Sequence, residues 1–405
     1  MTRYIYLSLF SLVSLVAIFT AGCSGEESAC GDGLVECGGA ACVDVKSNRY
    51  HCGGCGIACA FGQECVEGVC VCPEGVDCEA LVPDLFAACF QAGHVGSYYK
   101  EDLAWANASV MGIEGPQTMA ALDEDHFVVV GTLDQVLRVV NRRNMQVVGQ
   151  LTLGKGTAPT SPNHVAVEGS RAYVVQSLTN EVTAVDLSDP RKPRVAYSVS
   201  TGEGTNPYML AVDAEGTLWV TLWLAGAVLP IEVGENGGTA GEPVAIETSE
   251  LEGIPYPAGI AVAHGKVYAT LNNLDESFAP AGSGRLWVYD PDAGDQTLVD
   301  LGPDCTNPSA VAAGEDGRLY VACTGHWGES DGALAIYSPS GVVEVLRAGE
   351  SPSRLALDGR FVYLADGGSN RLLRLDLEGG ETIGRDACPP GAEGMEFVSD
   401  VLVYP

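Results

Sequence analysis

The chain has 405 residues, of which 53 are Asp or Glu and 21 are Lys or Arg, so its formal net charge at pH 7 is −32. This charge excludes nucleic acid as the main ligand, because binding to a phosphate backbone requires clustered basic side chains. An apolar content of 46% excludes an acidic disordered chain, and the length suffices for one large domain and a small one.

The N-terminus has the pattern of an export signal. Arg3 is followed by an apolar stretch at 4–19 and by the small residues Thr-Ala-Gly before Cys23. The pattern resembles the signal peptides of bacterial lipoproteins, which implies a cleaved peptide at 1–22, a lipidated Cys23 with a tether at 23–29, and attachment to a membrane through the acyl chains. The alternative is an ordinary secretory signal with a cysteine at its boundary by chance.

The residue after the cysteine bears on the location. Ser24 follows Cys23 where an Asp would be the alternative. By resemblance to enterobacterial lipoproteins, this serine implies transport to the outer membrane, facing either the periplasm or the cell surface. The expected location is therefore the cell envelope.

A cysteine-rich module is expected at 30–80. This stretch is rich in Gly and poor in large aliphatic residues, so it cannot bury a sufficient core and requires disulfides. Its even number of cysteines predicts about five disulfides, whose pairing the spacing leaves open. The alternative is a zinc site at Cys52 and Cys55, with His51 and Cys59 nearby, which an oxidising compartment disfavours. The ten cysteines are Cys30, Cys37, Cys42, Cys52, Cys55, Cys59, Cys65, Cys70, Cys72 and Cys78.

Three segments of this module, 37–44, 51–59 and 62–70, carry a family resemblance. Their cysteine and glycine spacings resemble the cysteine-rich repeat of the stigma-specific protein family, which also occurs near the N-terminus of lipoproteins from myxobacteria. His51 stands where that family usually has Asn. The resemblance implies an extracellular structural or adhesive module without catalytic residues.

From residue 81 onward a single unit recurs, and each copy begins with a proline. Successive prolines are 46, 45, 50, 51 and 44 residues apart, a period that fits one four-stranded propeller blade. Alternating apolar strands follow each proline, and no helical period is sustained. The six starting residues are Pro116, Pro162, Pro207, Pro257, Pro308 and Pro352.

A seventh blade is expected from both ends of the region. Predicted strands at 85–90, 94–99 and 108–112 would join the C-terminal segment at 394–404, which leaves no free sheet edge. We therefore predict an all-β fold, a seven-bladed β-propeller at 81–405, with six or eight blades as alternatives. The region resembles NHL-like and lactonase-like propellers of exported bacterial proteins, and this resemblance implies the fold while leaving the function open.

Four further cysteines occupy equivalent blade positions. Cys305 lies three residues before Pro308, and Cys323 closes the second strand of the same blade. Cys388 and Cys89 take the corresponding places in the blade built from both termini. The start of a first strand lies beside the end of a second strand, so we predict the disulfides Cys305–Cys323 and Cys89–Cys388.

Candidate binding residues are those that the blade pattern places around the mouth of the central channel. They either follow the starting proline or leave the second strand, and polar side chains at such a wet mouth need no ligand. The first group is Gln117, Asn163, His164, Tyr208 and Arg354, and the second is Trp223, Asn272, Asn273, His326, Trp327 and Asp366.

Two functions fit these residues. The first is a non-enzymatic, envelope-anchored scaffold that binds a protein or carbohydrate ligand, with no cofactor. The second is a lactonase-like hydrolase with a divalent metal held in the channel by Asn163, Asn272 and Asp366. Only Glu393 places an acidic residue at the start of a first strand, and no catalytic residue is assigned.

Overall fold

The computed structural model describes residues 30–31, 33–37, 42–154, 158–338, 340–341, 343–388 and 396–404. The predicted signal peptide, Cys23 with its tether, and Glu393 lie outside these ranges. Within them, no helix is long and apolar enough to cross a membrane. The regular structure there is β, apart from one 3-10 helix at Glu79–Leu81.

Seven sheets form a β-propeller, as predicted. In each blade, strand 1 is innermost and strand 4 outermost, and the strand 1 of each blade contacts that of the next until the ring closes. Blade 1 comprises Pro116–Ala121, His126–Gly131, Val136–Asn141 and Gln146–Thr152; blade 2 comprises Pro162–Glu168, Arg171–Gln176, Glu181–Asp186 and Arg194–Ser200; blade 3 comprises Pro207–Val212, Thr217–Leu222, Ala227–Val233 and Gly238–Ala240, with Val244–Ala245 also pairing to its third strand. Blade 4 comprises Pro257–Ala263, Lys266–Leu271, Arg285–Asp290 and Asp295–Asp300; blade 5 comprises Pro308–Ala313, Leu319–Cys323, Ala333–Tyr337 and Val343–Arg347; blade 6 comprises Pro352–Asp358, Phe361–Asp366, Arg371–Asp376 and Thr382–Asp386.

Blade 7 is assembled from both ends of the propeller region. Its strand 1 is the C-terminal Val398–Val403, which pairs with Leu85–Cys89, followed by His94–Tyr98 and Trp105–Met111. The predicted closure is therefore confirmed, although the outermost strand begins at Trp105 rather than at 108. Pairing between the two termini removes the free edges that an open ring would expose.

Every strand 1 has an irregularity directly after its first residue. The register shifts there in all seven blades. Proline suits the first position because it has no N–H to donate, and in blade 7 Val398 takes that place. A bulge redirects the side chains that follow it.

The hydrophobic core is divided among seven clusters, and each lies between two adjacent blades. Strand 2 contributes most consistently, because nearly all of its residues are buried on both faces. The residues of strand 4 alternate between exposed and partly buried positions. The blade therefore depends on its neighbours for a core, as a repeat architecture requires.

Both predicted propeller disulfides are present. Cys305 pairs with Cys323 across 18 residues of sequence, and Cys89 pairs with Cys388 across 299 residues. Each bridge joins the connection before a strand 1 to the end of a strand 2.

The cysteine-rich module contains five disulfides, as expected, and two short hairpins, Val35–Glu36 with Cys42–Val43 and Glu64–Val66 with Val69–Val71. The zinc alternative is wrong, because Cys52, Cys55 and Cys59 are all paired and supply no thiolate. The pairs are Cys30–Cys42, Cys37–Cys55, Cys52–Cys65, Cys59–Cys70 and Cys72–Cys78.

The module docks on blade 1. The Phe61 N–H donates to the Arg143 carbonyl oxygen at 2.8 Å, and the Asn144 amide donates to the Ala58 carbonyl oxygen at 3.0 Å. Arg143 also pairs with Glu79 at 2.7 Å. Arg143 and Asn144 lie between strands 3 and 4, on the face that we call the turn face. The opposite face, where each strand 1 begins and each strand 2 ends, is called the rim face.

Candidate functional site

The rim face carries a ring of exposed apolar side chains. In blades 1 to 5, the connection between strands 2 and 3 presents one large apolar residue that is 56–60% exposed. In blades 1 to 3 the backbone N–H of this residue donates to a carbonyl group just before strand 1, at 3.1–3.2 Å. The same turn is therefore repeated around the channel mouth. The ring, which we call the apolar rim, consists of Leu133, Leu178, Leu224, Phe278 and Trp327.

Trp223 lies in an aromatic stack beside this ring. Its ring centroid is 4.1 Å from that of Tyr256 and 5.9 Å from that of Phe278, with the planes nearly parallel. The Trp223 indole N–H donates to the Asn272 side-chain oxygen at 3.4 Å. The predicted Trp223 is thus partly buried by its neighbours, and Phe278 offers the more exposed surface.

Trp327 belongs to a second aromatic group. It meets Phe397 edge-on at 6.2 Å, and Phe397 stacks on Phe90 at 5.0 Å. Tyr256, Phe278, Phe90 and Phe397 were missed by sequence reasoning because they lie outside the repeated proline motif. An aromatic residue in a connection of variable length gives no periodic signal.

Several of the predicted polar residues form hydrogen bonds with backbone groups of the rim-face connections. The Asn273 side-chain oxygen accepts the N–H of Gly253 at 2.7 Å, and the Asp366 carboxylate accepts the N–H of Ser351 at 2.7 Å. The Asn272 amide donates to the carbonyl of the first residue of blade 5 at 2.9 Å. These side chains are buried and already bonded. Asn272 and Asp366, two members of the expected metal set, thus already have hydrogen-bond partners within the protein.

The remaining predicted rim residues are placed as follows. His326 contacts Asp331 at 2.8 Å within its own loop and is exposed. Gln117 and Asn163 are half-buried at the bulges of their strands, and Tyr208 occupies the equivalent place in blade 3. Among the described residues, the only group of His, Cys, Asp or Glu within metal-ligand distance is Cys52, Cys59 and Cys70, whose sulfurs are in disulfides.

A polar group lies inside the channel, at the third residue of strand 1. Asp400 accepts the N–H of Met119 in the next blade at 2.6 Å, and the Nδ1 of His164 accepts the N–H of Leu210 in the next blade at 3.4 Å. These N–H groups belong to inner strands whose channel side has no neighbouring strand, so side chains satisfy them. The third residues of blades 1 to 7 are Thr118, His164, Met209, Gly259, Ala310, Arg354 and Asp400.

Arg354 crosses this channel. Its side chain is 7% exposed, and its guanidinium carbon lies 5.9 Å from the ring centroid of Tyr208, three blades away. Burial raises the pKa of Asp400 to about 6, although the positive charge of Arg354 acts in the opposite direction. Burial and then the charge of Arg354 lower the pKa of His164 to about 3, so this imidazole is neutral at pH 7.

A separate cavity of about 900 Å³ lies between the outer parts of blades 6 and 7. Its lining includes Trp105, Met111 and Arg385, and none of its lining residues belongs to the apolar rim or to the channel group. Its size is that of a small-molecule site. Ala92, Ser369 and Asn370 in its lining lie in the connections between strands 2 and 3 of blades 7 and 6, at the outer part of the rim face.

No family model and no curated protein matches the sequence. Solved structures do match the fold. A protein from Lactobacillus plantarum superposes with a TM-score of 0.60 at 15% identity, covering 80% of this chain and 99% of its own. A putative 6-phosphogluconolactonase from Bacteroides uniformis gives 0.58 at 14% identity, with coverages of 80% and 99%. Virginiamycin B lyase from Staphylococcus aureus gives 0.52 at 12% identity, with coverages of 67% and 84%. At these identities the likeness establishes the fold alone, a seven-bladed propeller with lactonase-like neighbours.

Proposed function

We propose that the protein is an envelope-anchored, non-enzymatic binding protein whose rim face binds a protein partner. The observation that carries this proposal is the apolar rim. Five consecutive blades each present a large apolar side chain that is more than half exposed at one face. A solitary exposed apolar residue needs no explanation, but a set gathered on one face is typical of an interaction surface.

The composition of the rim favours a protein over a carbohydrate. Three of its five members are leucines on separate blades, and aliphatic side chains offer no flat π face on which a sugar ring stacks. The aromatic members add rigid contact area of the kind that dominates protein interfaces. A carbohydrate ligand is accordingly the second outcome to be distinguished by experiment.

The docking of the module supports presentation of this face away from a membrane. The module sits on the turn face, and Cys23 precedes its first described residue by seven positions. A tether of that length spans roughly 25 Å at most when fully extended. An acylated Cys23 would therefore hold the turn face toward the bilayer and leave the rim face free.

The test compares rim variants of the mature protein for capture of partners from an envelope extract. Captured proteins are identified, purified and rebound to obtain Kd. We expect Trp223→Ala with Trp327→Ala to weaken binding by more than tenfold, because interface affinity concentrates in buried aromatic anchors. Phe278→Ala removes the exposed end of the aromatic stack and should also weaken binding, while the Trp223–Tyr256 contact remains.

Trp105→Ala is the matched control, since Trp105 is similarly exposed but lies at the outer edge of blade 7. Wild-type affinity both in the Trp223→Ala Trp327→Ala variant and in Phe278→Ala would refute the rim face as the binding face. Binding to a glycan array that depends on the same residues would replace the protein partner with a carbohydrate.

The hydrolase alternative has a separate test. The lactonase-like neighbours support it only at the level of the fold, and Asp366 and Asn272 are already hydrogen-bonded to backbone groups of the protein. Lactone hydrolysis that is lost with a chelator and restored by a divalent cation would establish it. A hydrolase site would also place the function in the channel, so rim variants should then retain activity.

A further inference from the structure

We propose that the channel contains a binding site for a small anion, a carboxylate or a phosphate, held by the guanidinium of Arg354. The site lies below the apolar rim and does not depend on what the rim binds. It rests on a buried cation that lacks an anionic partner.

The hydrogen bonds of Arg354 leave one edge of its guanidinium free. Nη1 donates to the carbonyl oxygen of Ser353 at 2.9 Å. Nε is buried and has no partner, and Nη2 makes no hydrogen bond to the described part of the chain. Nε and Nη2 carry the two parallel N–H groups of the side-on fork, which matches the spacing of two oxygens in a carboxylate or a phosphate.

No carboxylate among the described residues satisfies this fork. The positive charge of Arg354 acts on Asp400, but no ion pair forms between these two residues, and Asp400 instead accepts the N–H of Met119. A buried charge without hydrogen-bonded compensation is costly. An anion bound at the fork would supply the missing compensation.

The small third residues of the neighbouring blades make room for the arrangement. Gly259 and Ala310 occupy this position in blades 4 and 5. The two strands approach so closely that a Cβ at Gly259 would come within 2.6 Å of the Ala310 backbone, so no side chain fits there. Two blades therefore contribute almost no side chain to the channel at this level. The long side chain of Arg354 extends through that space from blade 6 to Tyr208 in blade 3.

The position of the site also limits the size and charge of the ligand. Arg354 is the third residue of its strand, so the site lies close to the rim face rather than in the middle of the channel. Thr118, Asp400 and His164 are the other polar residues at this level. Nδ1 of the neutral His164 ring accepts the Leu210 N–H, so its Nε2–H can donate to a ligand oxygen. The site accordingly suits a compact ligand with one anionic group, or the anionic end of a larger one.

The experiment measures binding of acetate and of inorganic phosphate to the mature protein by calorimetry, at constant ionic strength set with sodium chloride. We expect saturable binding by the wild type. Arg354→Met should weaken it by about tenfold or more, because it removes two charge-assisted hydrogen bonds. Arg354→Lys keeps the charge but not the fork, and should show intermediate affinity.

Arg191→Met is the matched control, since Arg191 is exposed in a loop of blade 2. The double variant Asp400→Asn with Arg354→Met removes both channel charges. It is used in case Arg354→Met alone misfolds because the Asp400 carboxylate is left buried without a positive charge nearby. Absence of saturable binding by the wild type would overturn the proposal. Equal affinity in the folded Arg354→Met variant would do so too, as would a crystal grown in phosphate that shows only water at the fork.

Discussion

At the scale of the residue, the channel shows how one position acquires different chemistry in different blades. The third residue of strand 1 faces the N–H groups of the next inner strand. Asp400 and His164 satisfy such groups, whereas Arg354 has donors only and extends across the channel instead. Polar side chains in this place are therefore partly structural, and a ligand site arises where the pairing is incomplete.

Asp400 should make stability depend on pH. Its pKa is raised from 3.8 to about 6 by burial, so between these values the folded state holds more protons than the unfolded state. The free energy of unfolding should therefore fall as pH rises from 4 to 6, by about 3 kcal/mol from this group. Asp400→Asn keeps an oxygen for the Met119 N–H but does not titrate. In urea titrations, the free energy of unfolding of this variant relative to that of the wild type should therefore rise by that amount between pH 4 and pH 6.

The exposed turn carboxylate Asp292 provides the control, as Asp292→Asn. Because other carboxylates also contribute to the pH profile, the quantity to compare is the difference between each variant and the wild type. A difference for Asp400→Asn that stays constant from pH 4 to pH 7 would contradict the assignment.

At the scale of the element, the blade is the unit of folding, but it is not a stable unit alone. Strand 2 is buried on both faces, and every core cluster is shared between neighbours. Stability thus depends on the contacts between blades and on closure of the ring. The two propeller disulfides differ in this respect, because one lies within blade 5 and the other joins blade 7 to the chain leaving blade 6.

Removing the two bridges should have unequal effects. The chain-entropy model gives about 3 kcal/mol for a loop the size of Cys305–Cys323 and on the order of 5 kcal/mol for Cys89–Cys388. The second bridge also covalently links the two ends of the propeller in blade 7, where the ring closes. Its loss should therefore allow the ring to open there and speed unfolding. We expect Cys89→Ser with Cys388→Ser to speed thermal inactivation several-fold more than Cys305→Ser with Cys323→Ser.

Far-UV circular dichroism at a fixed high temperature measures these rates. The paired serine variants leave no free thiol, which makes the second pair a matched control for the first. If both pairs inactivated at the same rate, the point where the ring closes would not be where unfolding begins.

At the scale of the whole molecule, the two faces of the propeller are made unequal by what is attached to them. The cysteine-rich module occupies the turn face of blade 1, where Phe61 also packs into the cluster between blades 7 and 1. The rim face carries the apolar side chains and both propeller disulfides. This asymmetry is what a protein would need in order to present one face outward from an anchor.

The proposed lipid anchor at Cys23 can be tested by metabolic labelling. If Cys23 is acylated, a fatty-acid analogue should label the protein and place it in the membrane fraction. Cys23→Ala should abolish the label and leave an uncleaved or released protein. Labelling that persists in Cys23→Ala would rule out the lipoprotein assignment.

The sequence by itself determined the architecture. The spacing of six prolines and the alternation of the strands between them predicted the blades, because each blade repeats one local pattern of residues. The equivalence of Cys89 with Cys323 and of Cys388 with Cys305 predicted both pairings, since equivalent positions in repeated blades have equivalent neighbours. Closure of the ring was predicted from the strands at the two ends of the region, which are not part of the six blades that begin with proline.

The candidate sites were decided only in the tertiary structure. Asp400 was missed because Val398 replaces the proline that marks every other strand 1, although Val398-Ser-Asp aligns with Pro352-Ser-Arg. The stack around Trp223 and the hydrogen bonds of Asn273 and Asp366 join residues from different blades or loops. The unpaired Nε of Arg354 likewise depends on what surrounds it in the channel. Such contacts depend on how loops of unequal length fold across the channel mouth, and a repeated strand pattern contains no information about them.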